Sequence, residues 1–249
     1  MTIFDLSVWQ LALIAITALG AQIIGGLAGY GTGLLMPLVL VPIIGADAVV
    51  PIIGLSAMFT NSSRLAAFWS VFDAKKAVII GLAAIPTCML GSYGYTRLTG
   101  PNAAIWIGAV LIALVPLRRI MKRQFGNLSQ NGMAVAGVGY GLLVGGTAGS
   151  GVMLLSILMA AGLEGAAVIA TDAGVSLIVG VIKTATFHTL GALPWSSVVM
   201  AVLIGICAIP GAFIAKRLTR SLSLTQHTSI LDGVVVIGGV LLILQALRS

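Results

Sequence analysis

The sequence predicts an all-α polytopic membrane protein built from two inverted-topology repeats of about five segments each, four long helices plus a short half-helix per repeat. Three observations predict it. The first is composition. Of 249 residues, 59% are hydrophobic and only 8% charged, against about 25% charged in ordinary soluble domains. Apolar segments follow one another with short polar gaps, and about 20 apolar residues span the hydrocarbon core of a bilayer. The second is an internal repeat. "GGLAGYGTG" at 25–33 matches "GGTAGSGVM" at 145–153 in five of nine positions, "RLAAF" at 64–68 matches "KTATF" at 183–187, and "AIP" at 84–86 recurs at 208–210. The order is kept and the offset stays between 119 and 124 residues, as duplication requires. The third is charge placement. Nine of the 13 basic residues fall in three short connections: Lys75 and Lys76; Arg118, Arg119, Lys122 and Arg123; Lys216, Arg217 and Arg220.

The basic connections set the orientation. Cytoplasmic loops hold the excess of Lys and Arg, so with all three connections inside, the third segment runs outside to inside while its repeat partner, the eighth, runs inside to outside. An odd number of crossings per half gives this inversion, and both termini then lie outside. Residues 1–124 are expected to form the first transmembrane repeat and 125–249 the second, inverted one, together one membrane domain.

The segments of the first half are expected at about 7–24, 33–44, 46–71, 74–98 and 102–121. The opening segment carries Asp5 and no basic residue before its apolar run, so it lacks the positive region of a signal peptide and reads as a membrane helix. Residues 33–44 make only about 18 Å of helix at 1.5 Å per residue, too short to cross about 30 Å of hydrocarbon. Asp73 and Asn102 stand at helix starts, with Pro101 marking a point before which the chain is not helical. The second half follows at about 131–145, 151–162, 164–189, 195–218 and 227–247, with 151–162 as its short segment. Trp9, Trp69, Trp106 and Trp195 lie near segment ends, as interfacial aromatics do. Cys88 and Cys207 fall inside apolar spans, where a thiol behaves as a small hydrophobe.

The glycine motifs precede the two short segments. A broken helix at membrane depth is tolerated only where it is buried in protein or lines a wet cavity. Two readings stand. Gly25, Gly29 and Gly33 are four apart, as are Gly137, Gly141, Gly145 and Gly149, the small-xxx-small spacing of close helix packing. Gly26, Gly31, Gly146 and Gly151 do not fit that spacing yet recur in both halves. The second reading is anion binding. Backbone N–H groups at the start of a half-helix carry the positive end of its dipole, and glycine lets an oxyanion approach without a Cβ in the way. Thr32, Thr147 and Ser150 offer hydroxyls beside them. Inverted repeats with discontinuous helices meeting at the midplane are a common build of secondary transporters.

At these residues the chain resembles the TauE/SafE sulfite exporter family of membrane transporters. The resemblance rests on "GGLAGYGTGLLMPLVL", on its second copy "GGTAGSGVMLLSILM", and on the overall size and duplicated layout, so it covers essentially the whole chain. Where family members typically show a run of three glycines, Thr32 interrupts it in the first copy, and Val152 and Met153 replace it in the second. The resemblance implies export of sulfite or a related small sulfur-containing or organic anion across the cell's inner (cytoplasmic) membrane.

Substrate binding is expected at Gly29, Gly31, Thr32, Gly149, Ser150, Gly151, Asn61, Arg64 and Lys183. Arg64 and Lys183 occupy matching repeat positions, each with phenylalanine four residues on. They read either as snorkelling side chains or as cationic attractors on the two sides of an anion path. Asn61 and Arg64 share a helix face within the polar run Thr60 to Ser63, which is placed on a cavity wall. Asp172 has no acidic counterpart in the first repeat. It reads as a proton-coupling carboxylate or as a partner of Lys183 or of a backbone amide. His188 reads as solvated near the outer surface or as a proton relay, and His227 as a loop residue.

No P-loop stretch is present, and no catalytic residue, metal site or cofactor is expected. An enzyme is disfavoured, since two histidines and six acids supply no H-E-x-x-H spacing, no G-x-S-x-G elbow and no carboxylate pair. The expected partners are a small anionic substrate and the lipid bilayer, not nucleic acid, because the basic residues form no patch with interleaved aromatics. A homo-oligomer is compatible with the sequence, which does not set oligomeric state. The competing function is uptake or exchange of another small anion or organic acid by the same fold.

Overall fold

The computed structural model describes residues 6–28, 31–124, 128–218 and 225–247. These residues form ten α-helices and no strand: α1 (Val8–Ala28), α2 (Thr32–Ile44), α3 (Val49–Ala67), α4 (Ala74–Thr96), α5 (Pro101–Gln124), α6 (Gln130–Gly146), α7 (Gly151–Ala160), α8 (Ala166–Thr189), α9 (Trp195–Leu218) and α10 (Thr225–Ala246). Each expected segment has its helix. Asp73 caps α4, its Oδ1 accepting from Lys76 N at 3.0 Å. Asn102 does not cap α5: Pro101 is already the first helical residue, the position where a missing N–H costs nothing. Arg118 to Arg123 belong to the last turns of α5 and not to a loop, and His227 belongs to the first turn of α10. Gly29, Arg220 and the chain's last two residues lie outside the described residues.

Four helices, α1, α4, α8 and α9, are long and apolar enough to cross a bilayer on their own. In α3 the polar run Thr60 to Arg64 lowers the hydropathy, and α2 and α7, with 13 and 10 residues, are short. Large apolar side chains lie exposed on the outward faces, among them Trp9, Ile16, Leu90, Val135, Ile237 and Leu241. An aqueous surface seldom carries so many.

Helix packing is governed by small residues. A Cβ on Gly137, Gly141 or Gly145 would strike the α4 carbonyls of Ile80, Ala84 and Cys88 in turn, so α6 and α4 run parallel with backbones in contact, the small-xxx-small device. Thr87 adds a hydrogen bond to the Val138 carbonyl at 2.7 Å. Gly26 and Gly211 hold α1 against α9 in the same way, also parallel, meeting Ala215 and Gln22. By contrast α3 and α8 run antiparallel, Gly54 lying on the Lys183 stem at one end and Arg64 meeting Asp172 at the other. The α5 and α10 pair is antiparallel too, through Gly108 and Gly239. The principal pairs, α1 with α9, α4 with α6, α3 with α9, α4 with α8, α3 with α8 and α5 with α10, are unchanged when the first five helices are exchanged with the second five.

The ends of the bundle are distinct. Leu128 N donates to the Ala160 carbonyl at 2.8 Å, and Lys75, Lys76, Ser129 and Ala161 border one depression. The α3–α4, α5–α6 and α7–α8 connections therefore share one end. At the other, Gly100 N donates to Asp47 Oδ1 at 2.7 Å, and Tyr95, stacked edge-on against Phe187, donates its hydroxyl to the Ala46 carbonyl at 2.6 Å.

Candidate functional site

Two helix breaks create the site. After α6, Thr147 is extended and Gly149 has φ +84°, a left-handed conformation that glycine adopts without penalty. The chain then enters α7 with Ser150 as N-cap. After α1 the chain re-enters helix at Thr32 with Gly31 as N-cap. Neither cap residue uses its side chain to satisfy the first-turn N–H groups. The two breaks touch: a Cβ on Gly33 would come within 2.6 Å of Gly149 N and 2.9 Å of Gly149 Cα.

Where they meet there is a cavity of about 110 Å³. One water needs about 10–15 Å³ by this kind of measure, while pockets for drug-sized ligands begin near 300 Å³, so the space suits a small ion. Of the expected residues, Gly31, Thr32, Gly149, Ser150, Gly151, Asn61, Arg64, Lys183 and Asp172 all line it. His188 does not, being exposed near the end of α8. Arg64, Asp172 and Lys183 are the charged residues of the lining among the described residues, leaving a net charge of +1 when all are ionised.

Neither cation snorkels. Arg64 and Lys183 are buried, 7% and 5% exposed, because each is used inside the bundle. Arg64 Nη1 donates to the Gly25 carbonyl at 3.3 Å, and Lys183 Nζ to the carbonyls of Val144 and Thr147 at 2.6 and 2.7 Å. Each cation thus binds the carbonyls at the end of the broken helix of its own half, where the orphan acceptors and the negative dipole end lie. Two of the three Lys183 donors are engaged, and its Nζ lies 5.9 Å from the Phe187 ring centre.

Asp172 pairs with Arg64, not with Lys183. Arg64 Nη2 donates to Asp172 Oδ2 at 2.7 Å and also to Asn61 Oδ1. The antiparallel course of α3 and α8 sets Asp172 opposite the last turns of α3. Lys183 lies eleven residues further along α8, about 16 Å at 1.5 Å per residue. Asp172 is 1% exposed, and its Oδ1 has no hydrogen-bond donor among the described residues.

The hydroxyls are largely committed elsewhere. Thr32 Oγ1 donates to Gln22 Oε1 at 3.2 Å, and Thr147 Oγ1 to the Leu143 carbonyl at 2.7 Å. Gln22 in turn donates to the Thr60 carbonyl at 2.9 Å and to Ser63 Oγ at 3.3 Å. Tyr140 is buried and lines the cavity together with Ser150 and Ser176. Gln22, Tyr140 and Ser176 escape a reading of the sequence. The repeat alignment puts Leu142, Gly20 and Ala57 opposite them, so no symmetry signal marks them. A lone Gln or Tyr in an apolar span gives no other cue.

The glycines divide differently from their spacing. Gly33 and Gly149, though in step with the four-residue series, lie past the breaks and bring the two halves into contact. Gly31, outside the series, is held by packing, since a Cβ there would meet the Ala21 carbonyl and Gly25 N. Gly26 and Gly146 also pack, against α9 and against the Gly91 carbonyl.

A family model described as "Sulfite exporter TauE/SafE" matches residues 14–242, nearly the whole chain. No curated protein and no solved structure matches.

Proposed function

The chain belongs to the sulfite exporter TauE/SafE family, and on that premise we propose that it exports a small oxyanion, sulfite or a related sulfur-containing or organic anion, across the cytoplasmic membrane. The observation that carries the reading is the convergence of both half-helix starts with Arg64 and Lys183 on one small cavity of net positive charge. Uncapped helix N-termini attract anions. One cation sits toward the end bearing Lys75 and Lys76, the other toward the end bearing Tyr95 and Phe187, so an anion meets a positive group from either side.

The two halves act as inverted repeats that expose the site alternately. The antiparallel course of the partner helices α3 and α8, and of α5 and α10, supports the inversion, as does the exchange symmetry of the helix pairs. No nucleotide is needed: a monovalent anion leaving a negative interior gains about 2.3 kcal/mol per 100 mV. Asp172, buried in the cavity wall, is the candidate for proton coupling.

Proteoliposomes loaded with sulfite, sulfate or methanesulfonate test the reading. Efflux of at least one anion is expected, faster when the interior is made negative; folded protein that passes none of them would sink the proposal. Orientation has its own check. Cysteine placed at Lys75 should react with an impermeant reagent only from the cytoplasmic side, and cysteine at Leu190 only from the other. Labelling of both from one side would rule out the inverted arrangement.

A further inference from the structure

We propose that Asp172 makes the cavity selective for anions that carry a hydrogen-bond donor beside their charged oxygens, such as hydrogen oxyanions and amido-sulfonates. Anions whose whole surface accepts are disfavoured. The inference rests on the transport reading above and sharpens it to a substrate class.

Every other strong polar group in the lining has a partner or donates. Arg64 is spread over the Gly25 carbonyl, Asn61 and Asp172; Lys183 holds two carbonyls and has one N–H left; Asn61 gives its oxygen to Arg64, which leaves its NH2. With the half-helix N–H groups, these are donors that suit anionic oxygens. Asp172 Oδ1 is the exception, a carboxylate oxygen in a residue 1% exposed, with no donor among the described residues. A buried acceptor without a donor is costly, and an all-acceptor anion beside it adds repulsion to that cost. A ligand with an O–H or N–H supplies the missing donor while its charged oxygens take the half-helix N–H groups and the Asn61 NH2, with Lys183 acting on it only through its charge. The net cavity charge of +1 then matches a monoanion, and a dianion leaves surplus charge among buried side chains. Sites built to hydrogen-bond a ligand donor reject the analogue that lacks it far more strongly than apolar pockets reject a size change.

Sulfamate and methanesulfonate give a matched test. Both are tetrahedral sulfonate monoanions at neutral pH, alike in size, and they differ in an NH2 against a CH3. Binding to purified full-length protein is measured by calorimetry, and flux by competition in proteoliposomes. Sulfamate is expected to bind at least about tenfold more tightly than methanesulfonate. In Asp172→Asn the amide oxygen stays with Arg64 and the NH2 turns a donor toward the ligand, so the preference should shrink to within about twofold or reverse, and sulfate should gain.

Equal binding of sulfamate and methanesulfonate by the wild-type protein overturns the inference while leaving anion transport standing. Failure to bind either one or sulfite overturns the transport reading itself. The wild-type comparison decides even if Asp172→Asn does not fold.

Discussion

Arg64→Ala should destabilise the folded protein by about 3–5 kcal/mol, the cost of leaving a buried carboxylate without its cation. Thermal unfolding in detergent should show it. The substitution strips Asp172 Oδ2 of its 2.7 Å partner and takes a donor from the Gly25 carbonyl at the end of α1. Removing the carboxylate as well, in Arg64→Leu with Asp172→Leu, should restore most of the stability, since an ion pair replaced whole by apolar groups is often neutral. Transport should not return, because the cavity has lost one of its two positive groups. Lys183→Met is the informative contrast. Lys183 occupies the matching repeat position, but its partners are two carbonyls and no carboxylate. Its loss removes hydrogen bonds without stranding a charge, and it brings the net cavity charge from +1 to zero. Anion binding should fall while the protein remains the more stable of the two variants. Equal stability of Arg64→Ala and Lys183→Met would contradict the assignment of Arg64 and Asp172 as a structural pair.

The contrast between these two cations also shows how far a sequence carries. Their matched positions, each followed by phenylalanine at the fourth residue, were visible as a repeat, and so were the two glycine-rich breaks that share a cavity with them. Periodicity and composition report on elements that repeat along the chain, which is why all ten helices could be drawn within a few residues of where they fall. The partner of Asp172 was not legible. It depends on α3 and α8 lying antiparallel with Arg64 opposite Asp172, a register set by Gly54 under the Lys183 stem and by packing no single segment encodes. The same holds for Gln22, which links Thr32 to the Thr60 and Ser63 turn across two helices. At Gly33 the close packing that the spacing suggests is present, but against Gly149 of the other half and not along one helix face, since α1 ends before it.

Gly33→Ala is accordingly expected to cut transport by about a hundredfold, the scale on which an ångström of misplacement acts. The new methyl would meet Gly149 N and Cα at 2.6 and 2.9 Å. These are backbone atoms on the other half of the molecule, with no flexible tip to swing aside, so the two breaks must part and their N–H groups lose a common focus. Three substitutions on or after α6 separate this effect from ordinary packing. At Gly139 an added Cβ finds nothing within 4 Å, so Gly139→Ala should be neutral, or favourable by about the 1 kcal/mol of helix propensity. Gly145→Ala drives a methyl onto the Cys88 carbonyl and should lower stability by about 1–3 kcal/mol as an overpacked contact does. The molecules that remain folded should keep much of their transport. Gly149→Ala combines a left-handed residue, about 1–2 kcal/mol for a side chain with φ +84°, with intrusion toward Leu34 and the Gly33 carbonyl. It should therefore resemble Gly33→Ala in losing transport per folded molecule. Measuring flux and thermal stability on the same preparations resolves the series. If Gly33→Ala and Gly149→Ala transported normally once corrected for folded protein, the touching breaks would serve assembly of the bundle and not the anion.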